Sequence, residues 1–205
     1  MLDYIIIGGG SAGCVLAGRL SQDPQVQVAL LEAGSLNDSA LIRCPAGIAL
    51  MARTGQANWR FSTTPQAGLN GRTGYQPRGK GLGGSSAINA MIYARGHRAD
   101  YEHWAALGNP GWGYDEVLPY FIRAENNARG ADAFHGGTGP LHVQDLREPH
   151  RFSHYFVQAA QAAGHLHNPD FNDEHQEGVG LYQVTQHDGA RWSAASAASS
   201  SNAPG

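Results

Sequence analysis

Three isoleucines followed by three glycines, within YIIIGGGSAGCVLAGRL, lie close to the start of the chain. Residues 3–7 are mostly apolar and β-branched and end at glycine, which predicts a short buried strand. Residues 11–22 carry apolar side chains at helical spacing, with Ser11 as a candidate cap, and residues 26–32 predict a second buried strand. Strand, glycine turn, helix and strand within about 30 residues form a βαβ unit with parallel strands and a right-handed crossover.

The glycines of this turn follow the pattern G-x-G-x-x-G. Gly8 permits the tight turn, Gly10 lets a pyrophosphate approach the backbone, and Gly13 lets helix and strand pack closely. Free N–H groups at the helix start bind phosphate oxygens. Glu32 lies about 20 residues further on, where a carboxylate accepts hydrogen bonds from ribose hydroxyls and repels a 2′-phosphate. The pattern predicts an adenine dinucleotide without choosing between NAD and FAD; an ordinary strand-to-helix turn is the alternative.

A second glycine-rich run, PRGKGLGGSSAINAMIYARG, occupies residues 77–96. Residues 74–80 fit the first part of a P-loop, but Gly81 stands where the magnesium-binding Ser or Thr is required, so we reject that motif. Four glycines let the backbone lie against a large planar group, and two serines and Asn89 add short polar side chains. An isoalloxazine ring has these requirements. A glycine-rich linker is the alternative interpretation.

The composition narrows the class of protein. Glycine accounts for 28 of 205 residues, against an average of about 7%, which favours tight turns over a helical bundle. The net charge is −3, and no clustered Lys and Arg predict a nucleic-acid partner. Cys14 and Cys44 form no disulfide framework or metal pattern, which favours a reducing compartment. Because neither a signal peptide nor about 20 consecutive apolar residues is visible, we expect a cytoplasmic protein without a transmembrane segment.

Beyond the βαβ unit, irregular and helical segments alternate. Residues 35–80 are rich in Gly, Pro, Thr and Asn and show no periodicity, as functional or disordered segments do. Helices are predicted over 84–95, 98–107, 114–125 and 150–163. Asp115 is a candidate helix cap and Gly164 a helix stop. Residues 130–140 predict a loop, LHVQ a strand, and the small polar residues 193–205 a disordered low-complexity tail.

Other side chains that could carry chemistry have simpler interpretations. HLHNPDFNDEH, residues 165–175, gathers metal-ligand types without pairing them on a helix face, so we expect a solvated polar loop and no metal site. His135 is interpreted as a loop residue and not as a base, and Cys14 as a small buried residue. His97 and His103 are expected on helix surfaces. The aromatic residues expected in the core are Trp104, Trp112, Tyr114, Tyr120 and Phe121.

Several blocks of the sequence, in order, resemble the glucose–methanol–choline (GMC) oxidoreductases, a family of FAD-dependent alcohol oxidases and dehydrogenases. They are DYIIIGGGSAGCVLAGRLS with LLEAG, NWRFSTTPQ, RGKGLGGSSAINAMIYARGHRADYEHWA, GWGYDEVLPYF and HGGTGPL. The resemblance spans residues 1–193 and is closest to bacterial choline dehydrogenase-like and alcohol dehydrogenase-like members. It implies an α/β fold with a Rossmann-like FAD/NAD(P)-binding domain of the glutathione-reductase-like kind, which starts with βαβ and is incomplete here.

The resemblance implies non-covalent FAD, because Ile88 stands where some members carry a histidine that attaches the cofactor covalently. It places the pyrophosphate on the first glycine turn, the adenosine ribose after the second strand, and the flavin along the second glycine run. The implied cofactor-binding residues are Gly8, Gly10, Ser11, Gly13, Glu32, Ala33, Gly81, Leu82, Gly83, Gly84, Asn89, Ala90, Met91 and Ile92.

The resemblance also implies that this chain contains no catalytic residue. Family members carry a histidine near the C-terminus, paired with a second His or with Asn, as the base for hydride transfer from an alcohol to flavin N5. We therefore expect residues 1–192 to be the N-terminal FAD-binding portion, with the start of the substrate-domain segments, of a truncated enzyme. The expected substrate is a small-molecule alcohol; the electron acceptor is not predicted. A non-catalytic FAD-binding fragment and an NAD-dependent dehydrogenase are the alternatives.

Overall fold

The structure is a computed structural model that describes residues 1–200. Its α-helices are α1 (Ser11–Leu20), α2 (Ala40–Arg43), α3 (Gly47–Thr54), α4 (Arg98–Ala106), α5 (Tyr114–Ala124), α6 (Arg151–Ala162) and α7 (Ala194–Ser200). Its β-strands are β1 (Tyr4–Ile7), β2 (Val28–Leu31), β3 (Phe61–Ser62), β4 (Tyr75–Gln76), β5 (Glu125–Asn127), β6 (Leu141–Val143), β7 (Gln186–His187) and β8 (Ala190–Arg191). None of the helices in this part of the chain has the length and apolarity that a bilayer span requires.

The described chain divides into two compact units. The first unit consists of residues 1–91 together with residues 188–200, and the second unit consists of residues 92–187. Both glycine turns therefore belong to the first unit. Of the cofactor-binding residues that the sequence predicts, only Ile92 lies in the second.

The predicted βαβ unit forms at the start of the first unit. β1 and β2 pair in parallel, from Tyr4 opposite Val28 to Ile7 opposite Leu31, and α1 connects them. The expectation that both strands are buried is wrong, because Ile5, Ile7 and Leu31 are 60%, 87% and 56% exposed. Parallel strands are buried where both faces of their sheet are covered. The sheet that β1 and β2 form within the described residues has two strands, too few to enclose these side chains.

Residues 35–80 are less irregular than predicted. A serine side chain caps α2, and α3 ends at Gly55 in the left-handed conformation. Ile42 and Met51, from these two helices, pack with Ala87 as a small buried core. β3 and β4 form a short antiparallel pair. Helices of one or two turns show little amphipathic repeat, which is why periodicity did not reveal them.

The helix predicted over 84–95 is wrong. The chain makes one 3₁₀ turn at Gly84–Ala87 and leaves it at Ile88. The Asn89 side chain then hydrogen-bonds to the adjacent backbone: its Oδ1 accepts a hydrogen bond from the N–H of Met91 at 3.0 Å. Met91 takes the left-handed φ of 64°. A short polar side chain that bonds the adjacent backbone competes with helix propagation, so the apolar spacing was misleading.

Helix α7 lies within the stretch whose composition predicts disorder. It packs against α1 in the first unit, where Ala197 is buried. The distance between two packed helices depends on the side chains at their contact, so the small residues that suggested a disordered tail also permit close packing. The remainder of the predicted tail, residues 201–205, lies outside the described residues.

Three predicted helices are confirmed in the second unit, over 98–107, 114–125 and 150–163, as is the strand at LHVQ. The predicted cap of α5 is wrong. Gly113 is its N-cap, and its N–H donates to Glu116 at 2.9 Å, whereas Asp115 pairs with Arg98. Gly164, with a φ of 99°, follows α6 as predicted.

The aromatic residues around α4 and α5 are less buried than predicted. Tyr114 is buried beside Tyr101, and the ring of Phe121 lies 5.9 Å from that of Tyr101. The predicted core residues that are exposed are Trp104, Trp112 and Tyr120. Aromatic rings gain from edge-to-face contacts without being enclosed, so their presence on α4, on α5 and in the connection between these helices did not require burial.

Candidate functional site

The first glycine turn joins β1 directly to α1. Gly8 has a φ of 98°, which glycine adopts readily and other residues rarely adopt. Its N–H donates to the carbonyl oxygen of Leu31 at 2.8 Å, which ties the turn to β2. A Cβ on Gly13 would collide with the carbonyl oxygen of Gly8. The backbone therefore requires glycine at both positions, for the turn and for the close start of α1.

The N-terminal end of α1 is open. Its N-cap is Gly10, and not the predicted Ser11, and no side chain hydrogen-bonds there. The first turn contains no acidic residue. Apart from its chain neighbours, no described atom lies within 4 Å of the place that a Cβ on Gly10 would take. Because a helix N-terminus presents free N–H groups and a partial positive charge, an anion can approach beside Gly10.

Glu32, directly after β2, gathers three backbone N–H groups. Its Oε2 accepts a hydrogen bond from Gly9 at 2.7 Å, and its Oε1 accepts from Gly34 at 2.8 Å and from Gly81 at 2.9 Å. Burial raises the pKa of Glu32, but these N–H donors favour the charged form more strongly, so the pKa lies below its ordinary value. The carboxylate is ionised at neutral pH and links the two glycine turns.

The second glycine run lies against the first turn. The N–H of Gly83 donates to the carbonyl oxygen of Gly9 at 2.8 Å, and a Cβ on Gly84 would lie 2.8 Å from the Cα of Gly10. Gly81, Gly83 and Gly84 have positive φ values of 125°, 83° and 50°. Close packing between the two turns therefore explains part of the requirement for glycine here. That requirement was assigned from the sequence to a planar ligand.

A cleft of about 600 Å³ opens where the two turns meet. Small-molecule and cofactor sites have volumes of about 300 to 1,000 Å³, so the cleft is large enough for a ligand. The predicted residues that line it are Gly8, Gly10, Glu32, Ala33 and Gly84. Gly79, one of the four glycines expected to lie against a planar group, also lines it, and the lining residues without a predicted role are Ile7, Leu31 and Trp59.

Trp59 is the aromatic side chain at the cleft that sequence reasoning missed. Its ring stacks on that of Phe61, with centroids 5.9 Å apart, and Nζ of Lys80 lies 4.5 Å from its centroid. A second ring and a cation therefore hold the Trp59 ring at the cleft, where the residue is 44% exposed. The block NWRFSTTPQ contributed to the family resemblance, so the signal was present but no role was attached to it.

The remaining predicted residues do not line the cleft. They are Ser11, Gly13, Gly81, Leu82, Gly83, Asn89, Ala90, Met91 and Ile92. Leu82 covers the first turn, since a Cβ on Gly9 would lie 2.7 Å from its Cδ2. Asn89 is held by Arg191, whose Nη1 donates to the carbonyl oxygen of Asn89 at 2.8 Å and to its Oδ1 at 2.9 Å. Arg191 was not singled out from the sequence.

A buried charge network occupies the second unit. Nη2 of Arg95 lies 2.7 Å from Oε2 of Glu125, and their side chains are 2% and 0% exposed. His135 lies between two carboxylates, with Nδ1 3.1 Å from Glu125 and Nε2 3.2 Å from Asp170. Asp170 and Glu125 together raise the pKa of His135 to about 9. A buried imidazole that is already protonated does not accept a proton from a substrate, which fits the interpretation that His135 is not a base.

The other reactive side chains have structural partners. Asp170, within the stretch 165–175, contacts both His135 and Arg129. Among residues 1–200 no group of three or more His, Cys, Asp or Glu side chains is placed to hold a metal ion. Cys14 is buried as predicted, its Sγ donates to the carbonyl oxygen of Gly9 at 3.2 Å, and burial raises the pKa of its thiol.

A family model described as GMC oxidoreductase matches residues 2–202. The chain belongs to the GMC oxidoreductase family. The alcohol dehydrogenase (acceptor) of Pseudomonas putida is 52% identical over 198 residues, which are 96% of this chain and 36% of that enzyme. The oxygen-dependent choline dehydrogenase of Brucella anthropi is 45% identical over 195 residues, 95% of this chain and 36% of that enzyme.

Solved structures share the fold of this GMC oxidoreductase chain. The pyridoxine 4-oxidase of Mesorbium loti superposes with a TM-score of 0.89 at 37% identity, covering 96% of this chain and 39% of that one. An FAD-dependent oxidoreductase from Chaetomium thermophilum gives 0.85 at 33% identity, covering 95% and 35%. The likeness is consistent with a Rossmann-like FAD-binding α/β domain. The chain spans little more than a third of the length of these relatives.

Proposed function

We propose that this chain is the FAD-binding part of a flavin-dependent oxidoreductase that acts on CH–OH groups of alcohol donors. The observation that carries the proposal is the meeting of the two glycine turns at Glu32, beside a cleft of about 600 Å³. Relatives named alcohol dehydrogenase and choline dehydrogenase support an alcohol substrate. A structural relative described as FAD-dependent supports the cofactor.

The cleft residues fit an adenine dinucleotide. The open start of α1, with Gly8, Gly10, Ser11 and Gly13, suits a pyrophosphate. Glu32 accepts hydrogen bonds from Gly9, Gly34 and Gly81 and lines the cleft beside Ala33, where its carboxylate suits a ribose hydroxyl as a further donor. Because the lowered pKa of Glu32 keeps it charged, a 2′-phosphate is disfavoured.

The second glycine run is proposed to place the flavin. The residues that follow the ring and its ribityl chain are Gly81, Leu82, Gly83, Gly84, Asn89, Ala90, Met91 and Ile92. Bound FAD supplies a hydride acceptor at ring atom N5. The residues of this chain bind the phosphates and orient the ring. Binding is proposed to be non-covalent, because Ile88 has no atom that could attach the cofactor.

The base that accepts the alcohol proton is proposed to lie outside this chain. His135 is buried between two carboxylates, which raise its pKa to about 9, and the chain spans 36% of its curated relatives. The alternatives are a non-catalytic FAD-binding fragment and an NAD-dependent dehydrogenase. FAD is favoured over NAD because a structural relative of this chain is described as FAD-dependent, and because the first glycine motif by itself does not distinguish the two dinucleotides.

Titration of the purified chain with FAD, and separately with NAD, tests the proposal. We expect FAD to bind and to perturb the flavin absorption spectrum; a folded chain that binds NAD and not FAD refutes the flavin site. The variant Gly10→Ala puts a methyl group into open space at a φ of −71°, so we expect an intact fold and FAD binding weakened at least about tenfold. Gly68→Ala, also in open space, is the matched control. Rapid flavin bleaching by an alcohol without oxygen would contradict the absence of the base.

A further inference from the structure

Arg191, in β8, is buried in the first unit although it carries a charge. Its exposed fraction is 3%. Its Nε donates to the carbonyl oxygen of Ile42 at 3.0 Å. Its Nη1 donates to the carbonyl oxygen of Ser86 at 3.2 Å and to both oxygens of Asn89 at 2.8 and 2.9 Å. One guanidinium thus bridges both ends of the turn between Ser86 and Asn89.

The acceptors around Arg191 are neutral. Each is a carbonyl or amide oxygen, and burial lowers the pKa of the guanidinium, as expected for a cation without a carboxylate partner. Its Nη2 is buried and has no hydrogen-bond partner within the described residues. Buried cations are normally paired, and a buried donor without an acceptor is destabilising. A buried cation without a carboxylate partner and a donor without an acceptor both reduce stability, and features of this kind are expected at functional sites.

The backbone directly after the turn that Arg191 holds is unusual. Met91 is not glycine but has a φ of 64°, and the Asn89 side chain bonds its N–H. Residues in sparsely populated conformations persist where their surroundings over-determine them. The two hydrogen bonds from Arg191 to Asn89 supply such a constraint, because they fix the residue that sets the conformation of Met91.

We propose that Arg191 is a positioning residue of the flavin site, whose guanidinium holds the turn from Ser86 to Asn89 in the conformation that receives the ring of FAD. The inference rests on the proposed function, which assigns Asn89, Ala90 and Met91 to the flavin. The planar fork of arginine donates in several fixed directions at once. A lysine, with one compact ammonium, cannot bond Ile42, Ser86 and Asn89 in the same way.

FAD titrations of the wild-type chain and of R191K, R191M and R43M test this role. Arg43, also in the first unit, is exposed, and its Nε donates to a backbone carbonyl at 2.9 Å, so R43M removes a comparable guanidinium away from the turn. Binding is followed by flavin fluorescence and by the resolution of the visible flavin bands, and folding by circular dichroism. We expect the Kd for FAD to rise about tenfold in R191M, to rise less in R191K, and to stay unchanged in R43M.

The shape of the visible flavin bands distinguishes two roles for Arg191, positioning of the flavin and simple support of the fold. We expect FAD bound to R191M to show visible bands closer to those of free FAD, with R191K restoring part of the wild-type spectrum. A folded R191M that binds FAD with wild-type Kd and spectrum overturns the inference and leaves the proposed function standing. If R191M does not fold, R191K decides, because a wild-type Kd and spectrum in R191K overturn the inference equally. A wild-type chain that does not bind FAD overturns the proposed function and this inference with it.

Discussion

The N–H of Gly81 donates to Oε1 of Glu32 across 2.9 Å, although the two residues are 49 positions apart in the chain. The other oxygen of the same carboxylate accepts from Gly9. Glu32 therefore joins the two glycine turns before any ligand is considered. The arrangement of the proposed FAD site depends on a side chain whose expected partner was the ribose of the ligand.

The first prediction concerns this carboxylate. In Glu32→Gln one oxygen is replaced by an NH₂ group, which donates and cannot accept, so at least one backbone N–H loses its partner. We expect the free energy of unfolding to fall by about 1 to 3 kcal/mol and FAD binding to weaken about tenfold. Urea denaturation and FAD titration measure the two effects.

An exposed carboxylate in the same unit serves as the control for Glu32. Oδ1 of Asp23 accepts one hydrogen bond, from the N–H of Gln25, so Asp23→Asn removes a charge without unlinking the turns. We expect it to leave the FAD affinity unchanged. Equal losses in E32Q and D23N would show that net charge, and not the link between the turns, is responsible.

The second prediction contrasts two arginine–carboxylate pairs. In Arg95→Met the buried carboxylate of Glu125 loses its arginine, which for a buried pair costs about 3 to 5 kcal/mol of stability. Arg98→Met breaks the exposed pair with Asp115, and exposed pairs contribute little, so we expect its thermal midpoint to match that of the wild type. Thermal denaturation followed by circular dichroism compares them; a stable R95M would mean that the Glu125 site is hydrated.

The third prediction is a loss of stability at alkaline pH. The pKa of His135 is about 9 in the folded chain and about 6.5 in an unfolded one. Because the folded value is higher, the stabilisation from protonated His135 is complete below about pH 6.5 and is lost as the pH rises through about 9. We expect the free energy of unfolding to fall by roughly 2 to 4 kcal/mol across this range.

Two histidine variants test whether His135 causes that pH dependence of stability. His135→Gln removes the group that titrates between Glu125 and Asp170, so its stability should change much less between about pH 6.5 and pH 9. His154→Gln, at an exposed position of α6, should keep the wild-type slope. If both variants keep that slope, His135 does not carry the charge assigned to it.

The sequence determined the features that depend on neighbouring residues. The βαβ start, the glycine pattern at Gly8, Gly10 and Gly13, and helices α4, α5 and α6 were predicted because turn chemistry and helical periodicity act over a few residues. The same local signals failed for residues 84–95. There the Asn89 side chain competes with the helix, and apolar spacing does not report such competition.

Only the tertiary structure decided which distant residues meet. Arg191 contacts Asn89 across 102 positions, and Gly81 reaches Glu32 across 49. It also decided that Ile5 and Ile7 are exposed, because burial depends on what covers a strand and not on its own side chains. A local sequence pattern specifies which secondary structure a segment can form. Which residues that segment contacts is specified only when distant parts of the chain come together in the fold.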